Sequence, residues 1–167
     1  MVIRQFTERF RHFSRRYIIQ FSHAEGMVDV SAKSSTLRTA VAKCTVKFPS
    51  EICKAIFDPK ISLNEKGDII GTAKLAGAMS AKRTSDLIPL CHQISLSQVI
   101  VEIEQQDETS LLIRGTVKCL GQTGVEMEAL TCVSVAALTL YDMTKSGLKN
   151  SLGQIVISNI YLESKTK

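Results

Sequence analysis

Apolar and polar residues alternate from 39 to 48, placing Ala42, Cys44, Val46 and Phe48 on one side and Lys43, Thr45 and Lys47 on the other. This predicts a half-buried strand. Pro49 and Ser50 follow, with Ser50 placed to cap a short helix over 51–57. A polar loop over 58–66 leads to Asp68, the expected N-cap of a second helix running to about 84. Ala73, Ala76, Gly77, Ala78, Ser80 and Ala81 make that helix rich in small side chains, so another backbone can approach it closely. Val99, Val101 and Ile103 alternate with Ile100, Glu102 and Glu104, and Leu111, Ile113, Val117 and Cys119 with Arg114, Thr116 and Lys118. These are two strands joined as a hairpin over 107–110. A long helix over 128–146 carries Leu130, Val133, Ala137, Leu138 and Tyr141 as its apolar stripe; Gly147 stops it, and 155–162 is a last strand. The order β-α-α-β-β-α-β predicts an α+β, ferredoxin-like domain, an antiparallel sheet packed with helices.

Charge and composition change this picture mainly at the N-terminus. The chain has 167 residues, 44% hydrophobic and 22% charged, values that exclude a disordered or fibrous protein. Its net charge of +5 is concentrated in residues 1–22, where Arg4, Arg9, Arg11, Arg15 and Arg16 face only Glu8. The remainder carries +1, so the basic balance does not point to nucleic acid. Phe6, Phe10, Phe13, Tyr17 and Phe21 fall in the same stretch. An amphipathic, Arg-rich, acid-poor start reads as an organelle presequence, mitochondrial in type. A basic helix docked on the domain or a disordered extension fits the same composition. Residues 23–167 form the single expected domain. The longest nearly uncharged run, 129–141, is too short for a bilayer span, which predicts a soluble protein. Cys44, Cys53, Cys91, Cys119 and Cys132 are an odd set with no CxxC spacing, so neither a disulfide framework nor a zinc site is expected. Small apolar roles in a reducing compartment suit them.

Three polar clusters sit at element edges: Lys66-Gly67-Asp68; Lys82-Arg83-Thr84-Ser85-Asp86 with Pro89-Leu90-Cys91-His92; and Gly124-Val125-Glu126-Met127-Glu128, with Asp142 and Lys145 at the far end of the same helix. Each has a plain reading. Acids suit a helix start and cations a helix end, Asp142 and Lys145 are spaced for a surface ion pair, and a lone His is commonly structural. Cys91 and His92, adjacent on a strand, would face opposite sides and make a poor metal pair. Each also has a chemical reading. A lysine with a burial-lowered pKa can act as acid or base beside an orienting Asp, and convergent cations bind a triphosphate. No Walker-type glycine loop is present. Glu128 and Asp142 are about 21 Å apart along one straight helix. If both act on one small substrate, the site is assembled from two subunits.

MVDVSAK (27–33) with Arg38, KGDIIGTAKLAGAMSAKRTSDLIPLCH (66–92) and TGVEMEALTCVSVAALTLYDMTK (123–145) together resemble the MoaC family, the cyclic pyranopterin monophosphate synthases of molybdenum-cofactor biosynthesis. The resemblance runs over 26–162. It implies a ferredoxin-like subunit in a homohexamer, a trimer of dimers with sites at the dimer interface. It also implies a lyase that takes a cyclic dihydro-GTP derivative from a radical SAM partner, rearranges it to the cyclic pyranopterin monophosphate and releases pyrophosphate. Matched by motif, Lys66, Lys145 and Asp142 are its catalytic residues, and Leu90, Cys91, His92, Met127 and Glu128 bind substrate, with Glu126, Asp29 and Arg38 placed at the site. On chemical grounds Arg38, Lys82 or Arg83 would neutralise the triphosphate. No resident cofactor is implied, and Mg²⁺ assistance to the phosphates stays open. The family usually finishes with a Lys- and Gly-rich segment approaching the substrate. Glu163-Ser164-Lys165-Thr166-Lys167 lacks glycine, and Lys165 stands at the segment's first lysine. Two rival readings remain: a non-catalytic nucleotide-binding module and a metal-dependent nucleotide hydrolase.

Overall fold

The structure, a computed structural model, describes residues 26–58, 66–148 and 154–167. The expected presequence and most of the loop after residue 58 lie outside the described residues. Strands β1 (Thr36–Lys47), β2 (Leu96–Gln105), β3 (Ser110–Gly121) and β4 (Val156–Thr166) form one antiparallel sheet in the order β2-β3-β1-β4. Helices α1 (Ser50–Phe57), α2 (Ile69–Ala81) and the short α3 (Thr84–Leu87) connect β1 to β2, and α4 (Glu126–Thr144) connects β3 to β4. Strand β3 fits between β1 and β2, and β4 returns beside β1. This is the split βαβ order of a ferredoxin-like α+β fold.

Helices α2 and α4 pack against each other and on the sheet. The core between them is built from small and branched side chains: Ala42, Cys44 and Val46 of β1, Ile113 and Val117 of β3, and Ala129, Cys132, Val133, Ala136 and Leu140 of α4. Small residues are needed because the elements lie close. A Cβ on Gly77 of α2 would come within 2.9 Å of the Cys132 carbonyl oxygen, and one on Gly115 of β3 within 2.9 Å of Val133 Cγ1. Cys44, Cys53, Cys119 and Cys132 are buried free thiols, packed as small apolar groups.

Several boundaries differ from the sequence expectation. Ser50 is the first residue of α1 rather than its cap. Pro49 holds the cap position, and the Ser50 hydroxyl turns to the Glu51 carboxylate. Asp68 does cap α2, its Oδ1 accepting the Gly71 N–H at 3.0 Å, but α2 ends at Ala81 and α3 restarts after a turn. Helix α4 begins two residues early, at Glu126, ends at Thr144, and continues as a 3₁₀ turn over Lys145–Leu148 that runs through Gly147. Leu138, assigned to the apolar stripe, is 60% exposed. The buried stripe of α4 is centred on Ala129, Val133, Ala136 and Leu140, and Leu138 lies half a turn away from it. Strand β4 runs on to Thr166, with register breaks opposite Val41/Ala42 and Lys43/Thr45 and a left-handed Asn159 (φ 52°).

Candidate active site

Because α2 and α4 pack side by side, the start of α2 meets the end of α4. Gly67, at φ 98°, makes the left-handed turn before the Asp68 cap, and Lys66 precedes it. There Lys66 Nζ reaches Asp142 Oδ2 at 2.5 Å and Lys145 Nζ reaches Asp142 Oδ1 at 2.6 Å, all three side chains about half exposed. Hydrogen bonds from Lys145 and then Lys66 hold the Asp142 carboxyl down to about 2. In return the Lys145 ammonium is pushed up by its bond to Asp142. This reverses the expectation of a burial-lowered lysine: Lys145 is too exposed for desolvation to outweigh the carboxylate beside it. Two amines sharing one carboxylate can deliver protons and hold anions.

The other end of α4 faces a cavity of about 580 Å³, lined in part by Leu90, Cys91, His92, Glu126 and Met127, with Val28 and Val30 from the opposite side. Cys91 and His92 both line it. They do not point to opposite faces because residues 91–95 form no strand, so the alternation rule does not apply to them. His92 Nε2 donates to the Val28 carbonyl at 2.8 Å. A carbonyl can only accept, so that nitrogen carries the proton. Glu128 is 2% exposed and lies outside the lining. Its Oε1 accepts the Cys91 thiol at 3.8 Å, while Oε2 has no hydrogen-bond partner among the described residues. Burial pushes the Glu128 carboxyl up, and burial followed by the Glu128 charge pushes up the Cys91 thiol.

Glu126 sits at the rim. Burial works to raise its pKa, but Lys165 at 2.9 Å, its own backbone N–H and the more distant Arg38 bring it below the usual range. Arg38 is fixed by donating from Nε and Nη2 to the carbonyls of Gly121 and Gln122, at 2.9 and 3.0 Å. It lines a second cavity of about 240 Å³ with Lys165 and Lys167. Asp29 is exposed and accepts the Ser31 N–H at 2.9 Å, which holds its carboxyl below the ordinary value. Lys82 and Arg83 are exposed in the turn after α2 and line neither cavity.

One chain therefore groups Lys66, Asp142 and Lys145 at one end of α4. Leu90, Cys91, His92, Glu126, Met127, Glu128 and Arg38 gather at the other, with about 21 Å of unbroken helix between Glu128 and Asp142. The segment 26–33 is tied to the second group through backbone: besides His92 and Val28, the Gln122 amide donates to the Ser31 carbonyl at 3.3 Å. The sequence carries no signal for such carbonyl contacts. Among the described residues no group of three or more His, Cys, Asp or Glu side chains converges to hold a metal ion.

An α+β domain with a Lys–Asp–Lys cluster at one end of its main helix, and an acid- and His-bearing cavity at the other, is equipped for acid–base chemistry on an anionic small molecule. The model of the MoaC family matches residues 27–167, and the chain belongs to that family. It is 43% identical over 160 residues to the cyclic pyranopterin monophosphate synthase of Brevibacillus brevis, covering 96% of this chain and 92% of that protein. The Brucella ovis protein of the same name is 51% identical over 124 residues, 74% of this chain and 73% of that one. Molybdenum cofactor biosynthesis protein 1 of Drosophila melanogaster is 47% identical over 166 residues, 96% of this chain but only 28% of that protein.

Proposed function

We infer that this chain is a cyclic pyranopterin monophosphate synthase, a lyase that converts a cyclic dihydro-GTP derivative to the cyclic pyranopterin monophosphate and releases pyrophosphate, early in molybdenum-cofactor biosynthesis. The observation that carries the reading is the joining of Lys66 and Lys145 on the two oxygens of Asp142, the three residues for which the sequence resemblance implies catalysis. Ring opening and reclosure require proton transfers, which the two amines supply while Asp142 orients them. Glu126 accepts hydrogen bonds from the guanine-derived N–H groups, Cys91 and His92 line the ring site with Glu128 buried behind Cys91, and Arg38 faces the phosphates. The separation along α4 supports a site shared by two protomers, the Lys66 end of one meeting the Glu128 end of another. A homohexamer built as a trimer of dimers supplies such contacts. A radical SAM enzyme provides the substrate, and the Arg-rich N-terminus directs the chain to the mitochondrial matrix.

The test is incubation with the cyclic dihydro-GTP derivative, following pyrophosphate and an oxidisable pterin. Lys66→Ala and Asp142→Ala abolish product while the oligomer survives on size exclusion; turnover by either variant removes that residue from the mechanism. Product formation survives chelation, because the charged set mixes lysines with acids rather than gathering carboxylates around Mg²⁺. Phosphate or pyrophosphate release without pterin, lost in EDTA and restored by Mg²⁺, would favour the hydrolase-like alternative.

A further inference from the structure

Two cavities meet at one carboxylate. Gly124 and Glu126 line both the larger and the smaller cavity, so the Glu126 side chain stands between them. It is held there from two sides. The carboxylate folds back against Gly124, where any Cβ would displace it. Lys165 grips it at 2.9 Å from the other side. Register explains the reach. Lys165 pairs with Ala40 of β1, whose side chain is buried on the helix side of the sheet. Directly paired residues of antiparallel strands point the same way, and β4 is an edge strand, so the lysine rises past the sheet edge to the first turn of α4. Arg38, two residues before Ala40 and on the same face, forms the rest of the basic wall with Lys167. Its guanidinium is pinned by two carbonyls, whereas the Lys165 side chain is 65% exposed and held through its ion pair.

We propose that the Lys165–Glu126 pair is a latch: the smaller cavity is an oligophosphate site whose Lys165 is held in reserve by Glu126 until an anionic chain displaces the carboxylate. The natural ligand rests on the functional reading above; the site rests on the geometry. An entering phosphate is repelled by Glu126 and attracted by Arg38, Lys165 and Lys167, so Lys165 passes from carboxylate to phosphate. The released Glu126 is then free to turn toward the larger cavity as an acceptor. Phosphate capture on one side thereby prepares ring recognition on the other, and the coupling is reciprocal.

Inorganic tripolyphosphate is the probe, titrated calorimetrically into the full-length protein at low ionic strength. Removing the competing charge with Glu126→Gln tightens binding about fivefold, the scale of an exposed ion pair, and the gain shrinks in high salt. Measured against Lys165→Gln alone, the double variant Glu126→Gln/Lys165→Gln keeps only the smaller gain from relieved repulsion, because there is no reserved lysine to release. Both side chains are partly exposed, so neither substitution reaches the core. Unchanged or weaker binding by Glu126→Gln overturns the latch, as does a gain from Glu126→Gln that is equally large in the Lys165→Gln background. Turnover plays no part in this readout. The latch signature in the variants with no product from the wild-type protein overturns the enzymatic reading alone, and product without the signature overturns the latch alone.

Discussion

Gly77 lies where α2 passes close to α4, and replacing it with alanine sets two effects against each other. In an ordinary exposed helix the change gains about 1 kcal/mol from helix propensity. Here the new Cβ lies 2.9 Å from the Cys132 carbonyl oxygen and 3.2 Å from the Ala136 Cβ. The first of these is backbone in the middle of α4, so relief requires moving one helix against the other. Overpacking of this kind costs about 1–3 kcal/mol. Gly77→Ala is therefore destabilised by on the order of 1 kcal/mol net, which lowers Tm by about 2–4 °C in a chain of this size. Gly77→Val is worse, since its second branch has even less room. Thermal melts followed by circular dichroism, at one protein concentration so that assembly contributes equally, measure both. A Tm that rises by the propensity gain would refute the close-approach reading and, with it, the reason for the small residues along α2.

Asp142 titrates at about 2 rather than near 3.9, which carboxyl-carbon NMR would show; a midpoint in the ordinary range would mean that Lys66 and Lys145 do not hold it in solution. A depressed carboxyl favours the folded state above about 3.9 and loses that contribution as the pH falls toward 2, but an exposed group like this one is screened by solvent and salt. Glu128 has the opposite sign. Burial raises its folded pKa above the unfolded value of about 4.3, so its ionisation costs stability as the pH climbs through that window. Glu128→Gln should melt higher than wild type at pH 7 and match it at pH 4, while losing product formation; a lower melting point at pH 7 would show that the charge already has a partner.

Most of the architecture was legible because burial is periodic. Ala42, Cys44 and Val46 of β1 and Ile113 and Val117 of β3 alternate cleanly, and each faces the helices. Boundaries were less legible where local and tertiary preferences compete: Ser50 looks like a cap, yet Pro49 takes that position. Leu138 was misplaced because leucine fits any apolar stripe, whereas the stripe that packs is set by the alanines and cysteines beside Gly77 and Gly115. In the site, the Lys145–Asp142 pair followed from helical spacing and the split of the functional groups from helix length. The approach of Lys66 to Asp142, 76 residues apart, required the packing of α2 on α4. The link from His92 to Val28 runs through a main-chain oxygen, which every residue possesses and no motif can mark.

The irregular course of β4 has a bearing on how copies of this chain add to one another. A straight outer strand offers a row of free amides and carbonyls on which further strands stack without limit. Two register breaks and the left-handed Asn159 interrupt that row along one border of the sheet, and Glu102 and Glu104 place negative charge along the other. Backbone zippering along either border is thereby disfavoured, so a contact between copies of this chain would fall to side chains, where rotational symmetry can bring growth to a halt.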